Sequence, residues 1–327
     1  MKALVYDGIE TLNYRSMPDP LQVAGEELVR VAAVGICGSD MHAYHGTDPR
    51  RPAPLILGHE AAGVIVGGDR DGVRVTVNPL LTCGTCRFCK AGRQNICPDR
   101  QIISMPPREG AFADFLTMPA QNLIDVPDDV SFDKAALAEP LAVSWHSVRL
   151  GLAALHDSNS RSALVLGGGA IGVAAVLALQ AQGIDEVTVV DPNRARCTYL
   201  QTHLDCRVAE APAGLYGIVF DAVGCDATRT TAAAAVEAGG VIVHIGLGAG
   251  AGGLDIRRFT LQEITFIGSY CYTPQDFSET AAALFDGRLG ALDWIESRAL
   301  ADGAAAFADL DQARVAAPKV ILHPAQP

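Results

Sequence analysis

The sequence predicts an α/β protein of two domains, a β-rich half followed by a doubly wound half, and three observations carry that prediction. The chain has 327 residues, of which 49% are hydrophobic and 19% charged; that exceeds the usual span of one hydrophobic core and supplies apolar side chains for two. Its texture changes near residue 160, from short β-like runs broken by Gly and Pro to strands alternating with alanine-rich helices. Where the alternation begins, the apolar run Ala163-Leu164-Val165-Leu166 leads straight into a glycine loop, Gly167-Gly168-Gly169-Ala170-Ile171-Gly172.

Taken in order, the first half reads as strands at 3–6, 28–34, 61–66, 73–77 and 112–118. From 163 the pattern is strand at 163–166, helix at 171–182, strands at 187–190 and 218–220, helix at 229–238 and strand at 241–245. Continuous apolar strands of this kind are buried on both faces of a parallel sheet. After about residue 292 the alternation stops, and Lys319-Val320-Ile321-Leu322 reads as a strand that returns to the first domain. The predicted domains are therefore 1–150 with 293–327, and 151–292.

The formal net charge of -12, with no local Lys/Arg cluster, excludes the basic footprint that nucleic acid or an anionic membrane requires. The stretch 162–184 carries no charge, but Gly167, Gly168, Gly169 and Gly172 interrupt it, so it reads as strand, loop and helix rather than a membrane span. Asp7 sits where an exported chain would have the apolar core of its signal, and the expected location is the cytoplasm. There the nine cysteines are metal ligands or reduced thiols, and Cys197, Cys206, Cys225 and Cys271, each standing alone, read as core thiols.

Four other cysteines do not stand alone. Cys83, Cys86, Cys89 and Cys97 form C-x2-C-x2-C-x7-C within fifteen residues, a spacing that brings four thiolates onto one tetrahedral zinc. Ferredoxin-type runs share the first three positions but continue x3-C-P. Arg87, Lys90 and Arg93 lie close enough in sequence to offset the thiolate charge.

The glycine loop is G-x-G-x-x-G between an apolar strand and a helix. In that setting Gly167 makes the tight turn, Gly169 lets a pyrophosphate approach the backbone, and Gly172 lets helix and strand pack closely, with Ala170 and Ile171 opening the helix. The phosphates meet the helix N-terminus. Asp191 ends the next strand, 19 residues beyond Gly172, where a carboxylate takes both ribose hydroxyls and repels a 2'-phosphate, favouring NAD over NADP. Arg194 and Arg196 nearby keep NADP open as the alternative. Val223, Gly246, Leu247, Ser269 and Tyr270 fall on loops after the later strands, where ligands gather in such a sheet.

A further constellation, Cys37-Gly38-Ser39-Asp40-Met41-His42 with Gly58-His59-Glu60, holds thiolate, imidazole and carboxylate, the ligand types of a catalytic zinc. At this point the chain resembles a known family. G-I-C-G-S-D-M-H, L-G-H-E-A-A-G, the four-cysteine lobe, Ala138-Glu139-Pro140-Leu141 and the G-G-G-A-I-G loop occur in the order found in the zinc-dependent medium-chain dehydrogenases. The resemblance is to their polyol branch, which includes sorbitol dehydrogenase and its sugar-alcohol and sugar-acid relatives, and it spans nearly the whole chain.

The resemblance implies a GroES-like catalytic domain carrying two zinc ions and a Rossmann domain binding NAD. It implies Cys37 and His59 as ligands of the catalytic zinc, with Glu60 or Glu139 supplying a carboxylate, and Asp40 orienting His59. The four-cysteine zinc is implied to be structural. The implied reaction takes hydride from a secondary alcohol, such as a polyol or sugar acid, to NAD, with Ser39 passing the hydroxyl proton toward His42 or solvent and the chain assembling as a homodimer or homotetramer. An amino alcohol such as threonine is the alternative substrate class, and a noncatalytic NAD-binding relative the alternative to an enzyme. One departure from the family is a shortened connection between Glu60 and Val77.

Overall fold

The β-branched run before Cys37 forms the ten-residue strand Glu26–Gly35, about which the first half of the chain is organised. In the computed structural model, which describes residues 1–21 and 23–325, this strand pairs antiparallel with Glu60–Val66 on one side and, along its first half, with Phe115–Pro119. Its far end pairs with the C-terminal strand Lys319–His323, Ile321 opposite Gly35. Arg74–Val77, Leu123–Asp125 and Ile295–Ala299 complete a seven-stranded sheet. Thr11–Ser16, Lys2–Gly8 and Leu55–Ile56 form a separate three-stranded sheet. The shortened connection after Glu60–Val66 closes as a tight hairpin, with Gly67 N–H donating to Asp71 and Gly72 N–H to the Ile65 carbonyl.

The second half forms a six-stranded sheet in the order Arg207–Ala209, Glu186–Val190, Ser162–Leu166, Tyr216–Asp221, Val236–His244, Thr265–Gly268, with every neighbouring pair parallel. This is the doubly wound order with its reversal at Ser162–Leu166. Leu164, Leu166, Val190, Val219 and Ile242 pack with Ala232 and Ala235 of the helix Asp226–Ala235 into a buried core, each large side chain contributing about 1.5–3 kcal/mol by leaving water. The uncharged stretch is the strand Ser162–Leu166 followed by the helix Ala170–Ala181. No described helix is long and apolar enough to cross a membrane.

Two compact units result, one comprising Met1–Glu139, Thr273–Gly287 and the segment from Ile295, the other Pro140–Tyr272 and Arg288–Trp294. Three sequence expectations are corrected. Residues 140–150, expected in the first domain, group with the second unit. The helix expected at 229–238 ends at Ala235, because Val236 already enters a nine-residue strand. The segment 273–287, expected in the second domain, groups with the first, where its helix Pro274–Phe285 contacts the helix Phe132–Ala136 and buries Phe277, Ala281 and Leu284.

Candidate active site

In the first unit, two chain turns bring the mixed ligand set together. Cys37 follows the strand Glu26–Gly35 and precedes the helix Gly38–Tyr44; its N–H donates to Asp40 Oδ2 at 3.0 Å. His59 immediately precedes the neighbouring strand Glu60–Val66, which Glu60 opens. One donor atom from each of Cys37, His59 and Glu60 lies within 4.8 Å of the others. Sulfur, nitrogen and oxygen donors at that spacing fit a zinc ion that keeps a further position open.

His59 is 6% exposed and addressed on both ring nitrogens. Nδ1 faces Ser104 Oγ at 3.4 Å and Asp40 Oδ1 at 3.5 Å, and Nε2 faces Ser39 Oγ at 3.4 Å. Burial pushes the imidazolium pKa down, but the Asp40 and Cys37 charges outweigh it and hold the group well above its ordinary value. For Asp40 burial pushes up, while His59 and Arg51 bring the carboxyl below its ordinary range. Asp40 thus stays ionised and able to fix the ring's orientation.

Three residues of this site were not legible in the sequence. Arg51, buried, donates to the Ser104 carbonyl and the Ser39 carbonyl, each at 3.0 Å, and reaches Ser39 Oγ at 3.4 Å. Ser104 is buried at φ 66, held in the left-handed region. Lys319 spends its ammonium on Glu60 Oε1 and Oε2, both at 2.7 Å, and on the Ile36 carbonyl at 2.9 Å. The lysine reaches Glu60 across the strand that lies between them, and Gly35 leaves the passage: a Cβ there would lie 2.0 Å from Glu60 Oε2.

Glu139 is 7% exposed in the first turn of the helix Ala138–Ala154, and its charge acts on Lys319, but its carboxylate is outside the set gathered around Cys37. His42, half-buried, occupies the last turn of the helix that carries Ser39.

The four-cysteine lobe sits beyond the small hairpin of Leu80–Leu81 and Gln101–Ile102. Its sulfur separations are 3.9 Å for Cys83–Cys89, 3.5 Å for Cys86–Cys89, 3.9 Å for Cys86–Cys97 and 3.5 Å for Cys97–Cys83. A tetrahedron with zinc–sulfur bonds of about 2.3 Å has edges of about 3.8 Å, so the set fits one zinc. Cys86 caps the helix Arg87–Lys90, its sulfur accepting from Cys89 N–H, while Cys86 N–H donates to the sulfur of Cys83.

In the second unit, the glycine loop leaves the strand Ser162–Leu166 with Gly167 N–H donating to the Val190 carbonyl and Gly168 N–H to Asp191 Oδ2 at 2.8 Å. Helix and turn approach closely at Gly172, where a Cβ would meet the Gly167 carbonyl oxygen at 1.8 Å. Gly169, the residue before the helix Ala170–Ala181, makes no side-chain cap, which leaves the first-turn amides of Ala170 and Ile171 for a phosphate. Asp191 Oδ1 accepts from Asn193 N–H, and the Arg196 guanidinium, largely desolvated, interacts electrostatically with Asp191.

The remaining expected residues fall at the carboxyl ends of the parallel strands. Val223 follows Tyr216–Asp221, Gly246 and Leu247 follow Val236–His244, and Ser269 and Tyr270 follow Thr265–Gly268. Asp221, which the sequence did not single out, is fully buried; it accepts from Val223 N–H and Gly224 N–H and pairs with His244 Nδ1 at 3.1 Å. Ser269 Oγ bonds the buried Ser147 Oγ at 2.8 Å.

Comparison with known proteins agrees with both halves. Residues 23–128 match the alcohol dehydrogenase GroES-like domain family, and residues 170–286 the zinc-binding dehydrogenase family. The chain is 30% identical over 310 residues to L-galactonate-5-dehydrogenase of Escherichia coli (strain K12), covering 89% of each protein. It is 34% identical over 271 residues to sorbitol dehydrogenase of Bacillus subtilis (strain 168), covering 76% of this chain and 75% of that one. Among solved structures, a putative zinc-binding dehydrogenase from Sinorhizobium meliloti 1021 bound to NADP superposes with a TM-score of 0.87 at 25% identity, covering 99% of each chain. With the GroES-like half, the doubly wound half and these relatives together, the chain belongs to the zinc-dependent medium-chain dehydrogenases, in their polyol branch, and is an enzyme that oxidises a secondary alcohol.

Proposed function

We propose that this dehydrogenase acts on a polyol or sugar acid, uses NAD, and holds a catalytic zinc at Cys37, His59 and a glutamate and a structural zinc at the four cysteines. The observation that carries the reading is the convergence of Cys37, His59 and Glu60 donors within 4.8 Å, with Ser39 Oγ beside the same imidazole. When bound, zinc supplies a Lewis acid that lowers the proton affinity of the substrate hydroxyl, and NAD supplies the hydride acceptor. Ser39 Oγ accepts the hydroxyl proton and passes it toward His42 or solvent. Arg51 holds the Ser39 backbone and hydroxyl in position for that transfer. Asp40 keeps the His59 ring oriented, so its basicity is directed at the metal.

Of the two glutamates, Glu60 is the one gathered with Cys37 and His59. Each carboxylate oxygen has two lone pairs, so contact with Lys319 still leaves one on each oxygen for the metal. Glu139 remains the second available carboxylate. NADP is a second reading for the cofactor, favoured by the Arg196 guanidinium beside Asp191, where it could meet a 2'-phosphate.

The test is NADH formation from sorbitol, galactonate and threonine panels, run in parallel with NADP and with a Ser39→Ala variant. Polyol or sugar-acid turnover with NAD is expected. Ser39→Ala should lose roughly 10^2-fold or more in turnover while zinc content and NAD affinity hold. Turnover of threonine alone would move the substrate class to amino alcohols, and unchanged turnover in Ser39→Ala would remove the relay.

A further inference from the structure

We infer that Arg229 is a positioning residue for the cofactor: it sets the shape of the glycine-rich loop after the strand Val236–His244 and joins it to the Val223–Gly224 turn as one rigid nucleotide-binding edge. The inference rests on the proposed NAD-binding role of the second unit.

The loop 246–253 reads G-L-G-A-G-A-G-G, with five glycines in eight residues. Its one large side chain, Leu247, is 67% exposed. Such a segment has no side chains with which to order itself, and glycine loses more conformational freedom on ordering than any other residue. Three backbone bonds secure its first half, from Gly246 N–H to the Asp221 carbonyl at 3.0 Å, from Gly248 N–H to the Val223 carbonyl at 3.0 Å and from Ala249 N–H to the Gly224 carbonyl at 2.8 Å.

The second half is held chiefly by one side chain, with Thr230 Oγ1 adding a longer bond to the Gly253 carbonyl at 3.4 Å. Arg229, in the helix Asp226–Ala235 and 5% exposed, donates from Nε to the Gly252 carbonyl at 2.5 Å, from Nη1 to the Ala249 and Gly224 carbonyls at 3.0 Å each, and from Nη2 to the Ala251 carbonyl and to Asp226 Oδ1 at 2.7 Å. These are all five donors that a guanidinium has. Four of the five acceptors are backbone carbonyls, three in the loop and one in the facing turn. The only carboxylate among them belongs to Asp226, whose side chain is 68% exposed. The buried cation is therefore accommodated chiefly by the loop's carbonyls, and the loop is given its path by the cation. Lysine, with three donors on a point charge and no planar fork, cannot reproduce this pattern.

Gly246 and Leu247 on the loop and Val223 on the turn are the proposed cofactor contacts. A loop already ordered by Arg229 spares the binding step the ordering entropy that a free glycine segment would have to lose.

Hydrogen exchange of the 246–253 amides without cofactor, NAD affinity by calorimetry, and kcat at saturating NAD test this in the zinc-loaded enzyme and its Arg229→Lys variant. Faster exchange across 246–253 and an NAD Kd raised about tenfold or more are expected, with zinc content unchanged and kcat within about twofold. Asp226→Asn, which keeps the four carbonyl contacts, should leave loop exchange unchanged. Should Arg229→Lys fail to fold, Arg229→Gln, with a planar amide and no buried charge, takes its place. Wild-type exchange in the Arg229 variant overturns the inference, and so does faster exchange with an unaltered NAD Kd. A wild-type enzyme that binds no NAD overturns the proposed cofactor role and the positioning role with it, while loop exchange still decides whether Arg229 orders the segment.

Discussion

At the scale of single residues, the buried Lys319–Glu60 pair bears directly on stability. Both side chains are almost completely buried, 2% and 0% exposed, and the partners are 259 residues apart in sequence. Burial pushes the lysine pKa down, but Glu60, Cys37 and Glu139 outweigh it and raise the value, so the ammonium stays charged. Breaking such a pair leaves one charge uncompensated, at a cost of about 3–5 kcal/mol, whereas removing both charges costs far less. Lys319→Met should therefore unfold at markedly lower denaturant, and Lys319→Met with Glu60→Gln should recover most of the loss. Equal midpoints for wild type and Lys319→Met would contradict the pairing. Nothing in Lys319-Val320-Ile321-Leu322 announces the role: a lysine opening an apolar strand reads as a solvated end until the strand on its far side is known.

Among the elements, the loop between the helix Gly38–Tyr44 and the strand Leu55–Ile56 supports the site through Asp48. Its carboxylate accepts from Arg50 and, at 2.8 Å, from Arg51 Nη1, the arginine that holds Ser39. Burial pushes the Asp48 carboxyl up, while the hydrogen bonds and charges of Arg50 and Arg51 bring it below its ordinary value of 3.8. A folded-state pKa below the unfolded one means that the stabilisation is fully present above the unfolded value and is lost as pH falls through the depressed folded value. Asp48→Asn should accordingly melt below wild type at neutral pH, with the difference shrinking below about pH 4. A difference that stays constant into strong acid would show that the charge of Asp48 is not what matters. The strands and helices themselves were legible because burial on one or both faces imposes a period; this loop has none, so Arg51 and Ser104 became visible only through their partners.

For the whole molecule, the two metal clusters should behave as separate sites. Two zinc ions per chain are expected by elemental analysis, and Cys86→Ser should lose one of them together with thermal stability, since metal binding energy is folding energy for a lobe whose sulfurs converge on a single point. A Cys86→Ser protein that keeps two zinc ions and the wild-type melting curve would refute the division of labour. The sequence by itself determined the two-domain α/β class, through periodicity sustained over long stretches, and it displayed the four cysteines and the glycine loop as short runs of fixed spacing; Cys37, Ser39 and His59 stood out through the resemblance of their motifs to a known family, which left Glu60 and Glu139 as alternatives. Only the tertiary structure decided that Lys319 crosses Gly35 to reach Glu60, that Ser104 and Arg51 stand behind His59 and Ser39, that Arg229 gathers the carbonyls of 249–252, and that the helix Pro274–Phe285 belongs with the first unit. Periodicity tells which face of a strand or helix is buried but not which distant strand, helix or loop will lie against it, and those four contacts depend wholly on the neighbour.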